Sequence, residues 1–222
     1  MRITVVPGEF AQWVGALDLS HRWEVRASKS AAADLRVALE AGVDSPVLFV
    51  PEEAKVPDRL RQVLVPHDGS PATTLALDTA SELVAGSRVE IVVLHVPAPE
   101  FPAEPGSLPA PRLVDHVGYD LPEWREEFSR RFFHRSLGLL LRLEVRVGPV
   151  AESIVDAAQR LPADLLVLGW QGVAGEGRAV TVRSVCAASP CPVLLVAVTP
   201  GSEPAARYRA AGSWGMPGTL TG

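Results

Sequence analysis

A chain of 222 residues with 47% apolar and 21% charged side chains can bury one core of ordinary size and carry an appendage besides. The net charge of −5 and the lack of any Lys- or Arg-rich run speak against a nucleic-acid partner. No apolar run approaches the roughly 18 residues that cross a bilayer, so no membrane partner is expected. The apolar run at the amino terminus is too short for a signal-peptide core. Two cysteines, Cys186 and Cys191, make no disulfide framework and stand apart from histidines at metal-ligand spacing. A reducing cytoplasm is the expected location, with no metal.

Taken in order, Arg2 to Val6 and Trp23 to Arg26 read as short strands. Ala31 to Ala41 is rich in helix formers, with Leu35 and Leu39 at i, i+4 and Gly42 as a C-terminal stop. Pro46 to Val50 is a short apolar strand closed by Pro51. The stretch SPVLFVP (45–51) repeats in miniature the pattern of SPCPVLLVAV (189–198): a helix, a proline, an apolar strand. Residues 1–61 are therefore read as an extension holding a partial repeat of the domain at 62–198. Its strand 46–50 is expected to pair antiparallel with residues 193–198, in the same chain or in a second copy, covering an otherwise bare sheet edge.

Glu52 to Arg61 is a charged, proline-punctuated connector. Gln62 to Pro66 is a β-branched strand followed by His67-Asp68-Gly69-Ser70-Pro71, where Asp-Gly makes a turn, Ser70 caps the next helix and Pro71 fits its first position. That helix places Ala72, Ala76, Ala80 and Leu83 on one face and stops at Gly86. Val89 to Val96 is a strand, and the proline-rich residues 97–118 are a long surface loop. Asp120 and Glu123 resemble a capping box ahead of a helix whose Trp124, Phe128 and Phe132 form a core stripe at i, i+4, i+8. Leu139 to Val147 alternates apolar with charged residues, as a strand near a sheet edge does. Gly148-Pro149 starts a helix with Val150, Ile154, Ala157 and Ala158 on one face. Leu165 to Leu168 is an uninterrupted apolar run ending in a glycine loop, Gly169-Trp170-Gln171-Gly172, and a short helix leads to the strand Val193 to Val198. Repeated strand–helix alternation over 62–198 implies a doubly wound parallel sheet. Residues 199–222 are small, polar and unpatterned, and read as a disordered tail.

The segments VLVPHDGSP (63–71), VVLHV (92–96), GPVAESIVDAA (148–158), ADLLVLGWQG (163–172) and PCPVLLV (190–196), in this order, resemble the universal stress protein family across residues 62–198. The resemblance implies an α/β, flavodoxin-like (adenine nucleotide alpha hydrolase-like) fold of three layers around a five-stranded parallel sheet. It further implies a dimer through the last strand and ATP, or another adenine nucleotide, at the carboxyl ends of the strands. It places Asp68 at the adenine-ribose end beside Pro66 and Ser70, and makes Gly169 and Gly172 the first glycines of a phosphate loop. In nucleotide-binding members a Gly followed by Ser or Thr completes that loop. Here counting forward from Gly172 reaches Val182-Arg183, and counting back from Pro190-Cys191-Pro192 reaches Ala179-Val180. Neither offers the close-approach backbone and hydroxyl donor that meet phosphate oxygens at a helix amino terminus. Gly175, Gly177 and Arg178 compensate in part, because a guanidinium pairs with phosphate in bidentate fashion, while Glu176 repels it.

Other residues invite sharper readings. His67 beside Asp68 suggests a hydrolytic pair, but adjacent residues at a strand end point to opposite faces, and no G-x-S-x-G elbow exists. Trp170 in the glycine loop is read as a ring shielding the sheet end, and Cys186 and Cys191 as small packed hydrophobes. Three function classes compete: a regulatory module binding an adenine nucleotide, a nucleotide-free dimerising interaction protein, and a nucleotide hydrolase. The missing Gly-Ser pair favours the second over the first, and the missing base, metal cluster and elbow weaken the third. The expectation is a non-catalytic, stress-related module that dimerises through its last strand. Weak adenine-nucleotide binding would use Pro66, Asp68, Ser70, Gly169, Gly172, Arg178, Ala179 and Val180.

Overall fold

The computed structural model describes residues 2–6, 24–27, 46–51, 54–55, 57–97, 122–133, 138–170 and 176–198, with side chains from residue 46 onward except at 176–179. Among the described residues three short strands come first: β1 (Arg2–Val6), β2 (Glu24–Ala27) and β3 (Val47–Phe49). The alternation expected over 62–198 comes next: β4 (Gln62–Pro66), α1 (Pro71–Leu83), β5 (Glu90–His95), α2 (Pro122–Phe132), β6 (Leu140–Val145), α3 (Val150–Arg160), β7 (Leu165–Trp170), α4 (Glu176–Ala188) and β8 (Val193–Ala197). The helix read over 31–41 and the tail from 199 lie outside the described residues. Trp170 belongs to β7 and is buried, so the strand runs through the first glycine of the expected loop and the indole is core, not a cover over a loop.

Helix α1 begins where the local chemistry dictates. Gly69 takes φ +87°, Ser70 is the N-cap with its hydroxyl accepting from the Thr73 N–H, and Pro71 occupies the first turn. It ends at Val84, with Gly86 at φ +78° turning the chain back toward β5. Alternate residues of β4 then divide the core. Val63 and Val65 face the layer of α1 and α2 with Ala76, Ala80, Trp124 and Phe128. Leu64 faces the layer of α3 and α4 with Ile154, Ala157, Val185 and Cys186. The result is three layers, with helices on both faces of the sheet.

Within 62–198 the five strands lie in the order β8-β7-β4-β5-β6, all parallel. The chain winds outward from β4 through β5 to β6, returns across the other face, and winds through β7 to β8. Strand β6 is an edge with β5 as its neighbour, as its alternating pattern implies, although Val147 just beyond it is 60% exposed. At the other side the sheet does not stop at five strands but is eight-stranded, continuing as β2-β1-β3 beyond β8. Strand β3 runs antiparallel to β8, with Val47 opposite Leu195, Leu48 opposite Leu194 and Phe49 opposite Val193. β1 is parallel to both β3 and β2. The linker after β3 is tied down where the Lys55 N–H donates to the Pro190 carbonyl at 2.9 Å.

Leu48 is 3% exposed in the same cluster as Leu194 and Val196. Leu48→Lys therefore forces an unpaired ammonium into apolar surroundings and uncovers the β8 edge. The variant is expected to lose several degrees of thermal midpoint and to self-associate more than the parent in light scattering. Unchanged stability and mass would mean that β3 contributes nothing to the sheet.

Candidate functional site

Strands β4 and β7 are parallel neighbours whose outgoing connections leave to opposite sides, and such a reversal opens a crevice at the strands' carboxyl ends. A cavity of about 110 Å³ lies there. The β4–α1 turn supplies Pro66, His67, Asp68, Ser70 and Thr73, and β7 supplies Leu168 and Gly169. The remaining walls are Leu94 of β5 and Val96 just beyond it, Val150 and Ile154 of α3, and Thr181 and Val182 of α4. Most of this lining is aliphatic, and Asp68 is the one carboxylate among the described lining residues.

Asp68 is exposed at the mouth and held from behind. Its Oδ1 accepts from the Ser70 N–H at 2.9 Å and from the Thr73 hydroxyl at 3.0 Å, an Asx turn continued into the first turn of α1. Ser70 is buried, and its hydroxyl works as the cap. Asp68 and Ser70 thus form one preorganised unit, with Pro66 behind them.

His67 points the other way, into the core. Its Nδ1 accepts from the Gly69 N–H at 3.1 Å, so in the neutral ring the proton sits on Nε2, which is buried without a hydrogen-bond partner. The ring lies 4.4 Å from that of Phe132 and 5.5 Å from that of Phe128. The His67 carbonyl accepts from Nδ1–H of His95 at 2.8 Å, and His95 rests on Trp124 with ring centroids 5.3 Å apart. Burial pushes the pKa of His67 down from 6.5 to about 3, with Asp68 pulling the other way and His95 adding to the depression. Burial also lowers His95. The two histidines therefore brace the turn as neutral rings, and His67 is not placed to act as a base on anything held by Asp68.

Gly169 has a role different from the one its motif suggests. A Cβ built there would lie 2.4 Å from the carbonyl carbon and oxygen of Ala72 and 2.7 Å from the Thr73 nitrogen. The glycine is needed because the first turn of α1 crosses β7 in backbone contact, while its own backbone still lines the cavity. Gly172 lies outside the described residues, and Arg178 and Ala179 fall in α4 with their side chains outside them. Val180 is 58% exposed and not part of the lining.

The structure brings in Thr181 and Val182, the second of which is the position that the forward count from Gly172 reaches. Helical spacing is the signal that finds them. Val185 and Cys186 are buried against the sheet, and one turn back from these, at i−4, stand Thr181 and Val182. Thr73 lies outside the quoted motifs, and Leu94, Val96, Val150 and Ile154 lie in the segments 92–96 and 148–158, whose pattern marks them as apolar core and not as cavity wall. Cys186 and Cys191 are packed thiols, pushed up by burial to about 12 and about 11, so neither is a thiolate near neutral pH. Among the described residues no cluster of His, Cys, Asp or Glu is arranged to hold a metal ion, and no helix is long and apolar enough to cross a membrane.

Comparison with known proteins bears on this geometry. The model of the universal stress protein family matches residues 59–197. A universal stress protein from Archaeoglobus fulgidus is similar in structure with a TM-score of 0.54 at 15% identity, over 87% of this chain and 77% of its own. A universal stress protein in complex with cAMP aligns over 63% of this chain and 98% of its own, at 22% identity and a TM-score of 0.47. An Arabidopsis thaliana family protein with AMP bound aligns over 65% and 99%, at 16% identity and a TM-score of 0.42. No curated protein matches the chain.

The packing of the site sets two measurable outcomes. Gly169→Ala drives a methyl group into the Ala72 backbone, which should cost about 1–3 kcal/mol in a urea titration; a neutral result would mean that α1 can retreat from β7. The unfolded His67 takes up a proton near pH 6.5 whereas the native one resists down to about 3. Stability is therefore full above the first value and falls as the pH drops through that window. His67→Phe loses the bond from Gly69 but cannot titrate, so its thermal midpoint should fall less steeply than the parent's between pH 7 and 5. Equal slopes would show that His67 contributes no proton linkage.

Proposed function

The chain belongs to the universal stress protein family, and from this we propose that it is a non-catalytic regulatory module of the stress response that holds an adenine ligand between β4 and β7. The observation that carries the reading is the combination of an apolar slot with one fixed carboxylate at the strand switch point. A flat purine is suited to walls such as Leu94, Val96, Val150 and Ile154, and ribose hydroxyls are donors suited to the Asp68 carboxylate. The adenosine portion of the family's nucleotide therefore fits the residues present. ATP or another adenine nucleotide, when bound, supplies only its occupancy, since no reaction is asked of it.

The orientation of His67 supports binding over catalysis. The residue next to Asp68 is committed to the core and kept neutral, so the general base that hydrolysis would need is missing from this turn. The assembly reading rests on β8, whose outer edge is paired with β3 of the same chain. We read residues 1–61 as the stand-in for a partner subunit, so that the dimer geometry of the fold is built in cis and a second copy is not required at this edge. The protein acts in a reducing cytoplasm, in keeping with two buried cysteines.

A competing reading, a nucleotide-free interaction protein, draws on Val180, which brings neither a glycine nor a hydroxyl to α4 and points into solvent. Thermal unfolding with adenine ligands separates the two. A ligand binding only the native state at about 100 times its dissociation constant adds roughly 2.7 kcal/mol. A raised midpoint that Asp68→Ala abolishes is expected. An unchanged midpoint at millimolar ligand would leave the interaction-protein reading standing.

A further inference from the structure

We infer that Thr181 of α4 orients the ligand by pairing its hydroxyl with the oxygen on the ribose 5′ carbon. This rests on the adenine reading above and adds the residue that reads the ligand beyond its base and sugar ring. The first ground is the layout of the crevice. The sheet order β7-β4-β5 puts the Asp68 turn, which follows β4, between a β5 side and a β7 side. Leu94 and Val96 stand on the β5 side, joined by Val150 and Ile154 of α3, the helix that brings the chain back from β6. Helix α4 carries the chain from β7 on to β8, so Thr181 stands on the β7 side. The base and the 5′ carbon leave a ribose from opposite sides of its ring oxygen. A base in the aliphatic slot and ribose hydroxyls on Asp68 therefore send the 5′ carbon toward α4.

The second ground is the face that α4 presents. Successive residues turn by about 100° round a helix. Val180 is 58% exposed and Val182 is 6% exposed, and Thr181 falls between them, half-buried and one turn before the buried Val185. Thr181 thus stands at the rim where packed core gives way to the crevice, and it is the polar residue that α4 brings to the described lining. A few placed polar groups are what orient a ligand in an otherwise apolar pocket. Here Asp68 is one such group and Thr181 is a second, on the opposite bank. A hydroxyl has one donor and two acceptor sites, so a bond it makes within the chain leaves it able to meet a ligand oxygen.

Isothermal calorimetry on the full chain with adenosine, AMP and 5′-deoxyadenosine tests this, because the last lacks the 5′ oxygen. Thr181→Val keeps the branched shape and removes only the hydroxyl. It is expected to weaken adenosine and AMP about fivefold, the worth of one hydrogen bond, and to leave 5′-deoxyadenosine within about twofold of the parent. Thr181→Ser keeps the hydroxyl and should stay within about twofold of the parent for all three ligands. A loss of the same size for all three ligands in Thr181→Val would mean that Thr181 only shapes the wall. That result, no loss at all, or an equal loss in Thr181→Ser would overturn the assignment while leaving the adenine pocket intact. Failure of all three ligands to bind the folded parent would overturn the adenine reading and this inference with it.

Discussion

The carbonyl of Ala72 occupies the space that any side chain at residue 169 would need, and much of the site's geometry depends on that contact. Helix α1 approaches the sheet through Ala72, Ala76 and Ala80, all essentially buried, because only small residues let a helix axis come so close. Its first turn can cross β7 only where β7 has no Cβ. That crossing anchors Ser70 and Thr73 beside the end of the strand, and these two hold Asp68 at the cavity mouth. A glycine that looks, by motif, like a phosphate-loop residue is thus first a packing residue. It serves the ligand through the position it permits its neighbours to take.

A parallel sheet of this kind leaves two edges to be managed, and the chain manages them by different physics. At β6 the half-buried side chains include charged ones, beside an exposed Leu140: Arg142 pairs with Glu90 at 3.1 Å and Glu144 at 3.2 Å, and Arg146 joins Glu144 to Asp156 of α3. These groups are partly exposed, so their pairing adds little stability, but a charged edge resists an incoming strand. At β8 every residue but the last is buried and apolar, so charge is no remedy and coverage is needed. Strand β3 supplies it with three apolar residues of matching character. The sheet then continues through β1 to β2, two strands that are parallel to β3 and antiparallel to β8.

Most of the architecture is legible in the amino-acid order, because the strands β4, β5, β7 and β8 are dense apolar runs and the helices between them begin and end on local signals. Ser70-Pro71 and Gly86 bound α1 by chemistry that does not depend on the rest of the fold. The stripe Trp124, Phe128 and Phe132 is core at the spacing that implies it. The candidate site is legible only in part. Asp68, Ser70, Pro66 and Gly169 do meet at one cavity, since each is fixed by the turn or strand end on which it stands. The forward count reaches Val182, which does line the cavity, but Thr181 escapes because counting along a loop assigns residues by number, whereas a helix presents them by angle. Leu94, Val96, Val150 and Ile154 lie in segments that mark the family but not the site, and nothing short of the strand order brings residues from β5 and α3 to the same crevice. Trp170 is misplaced for a related reason: Gly169 reads as the end of a strand that in fact runs through it.

The dipeptide His67-Asp68 shows how tertiary context divides two residues that chemistry would pair. The strand's alternation sends one inward and the next outward. Inward, His67 meets the aromatic face of α2, where an imidazolium would be badly solvated, so the ring stays neutral and its unprotonated Nδ1 is available to receive the Gly69 N–H. That bond closes the turn from the core side, just as the Ser70 N–H and the Thr73 hydroxyl close it on Asp68 from the solvent side. The turn is therefore clamped twice, once by a neutral imidazole on the core side and once by the Asp68 side chain on the solvent side. A carboxylate fixed this firmly keeps its acceptor geometry without a ligand's help, which is the preorganisation that a small binding site requires.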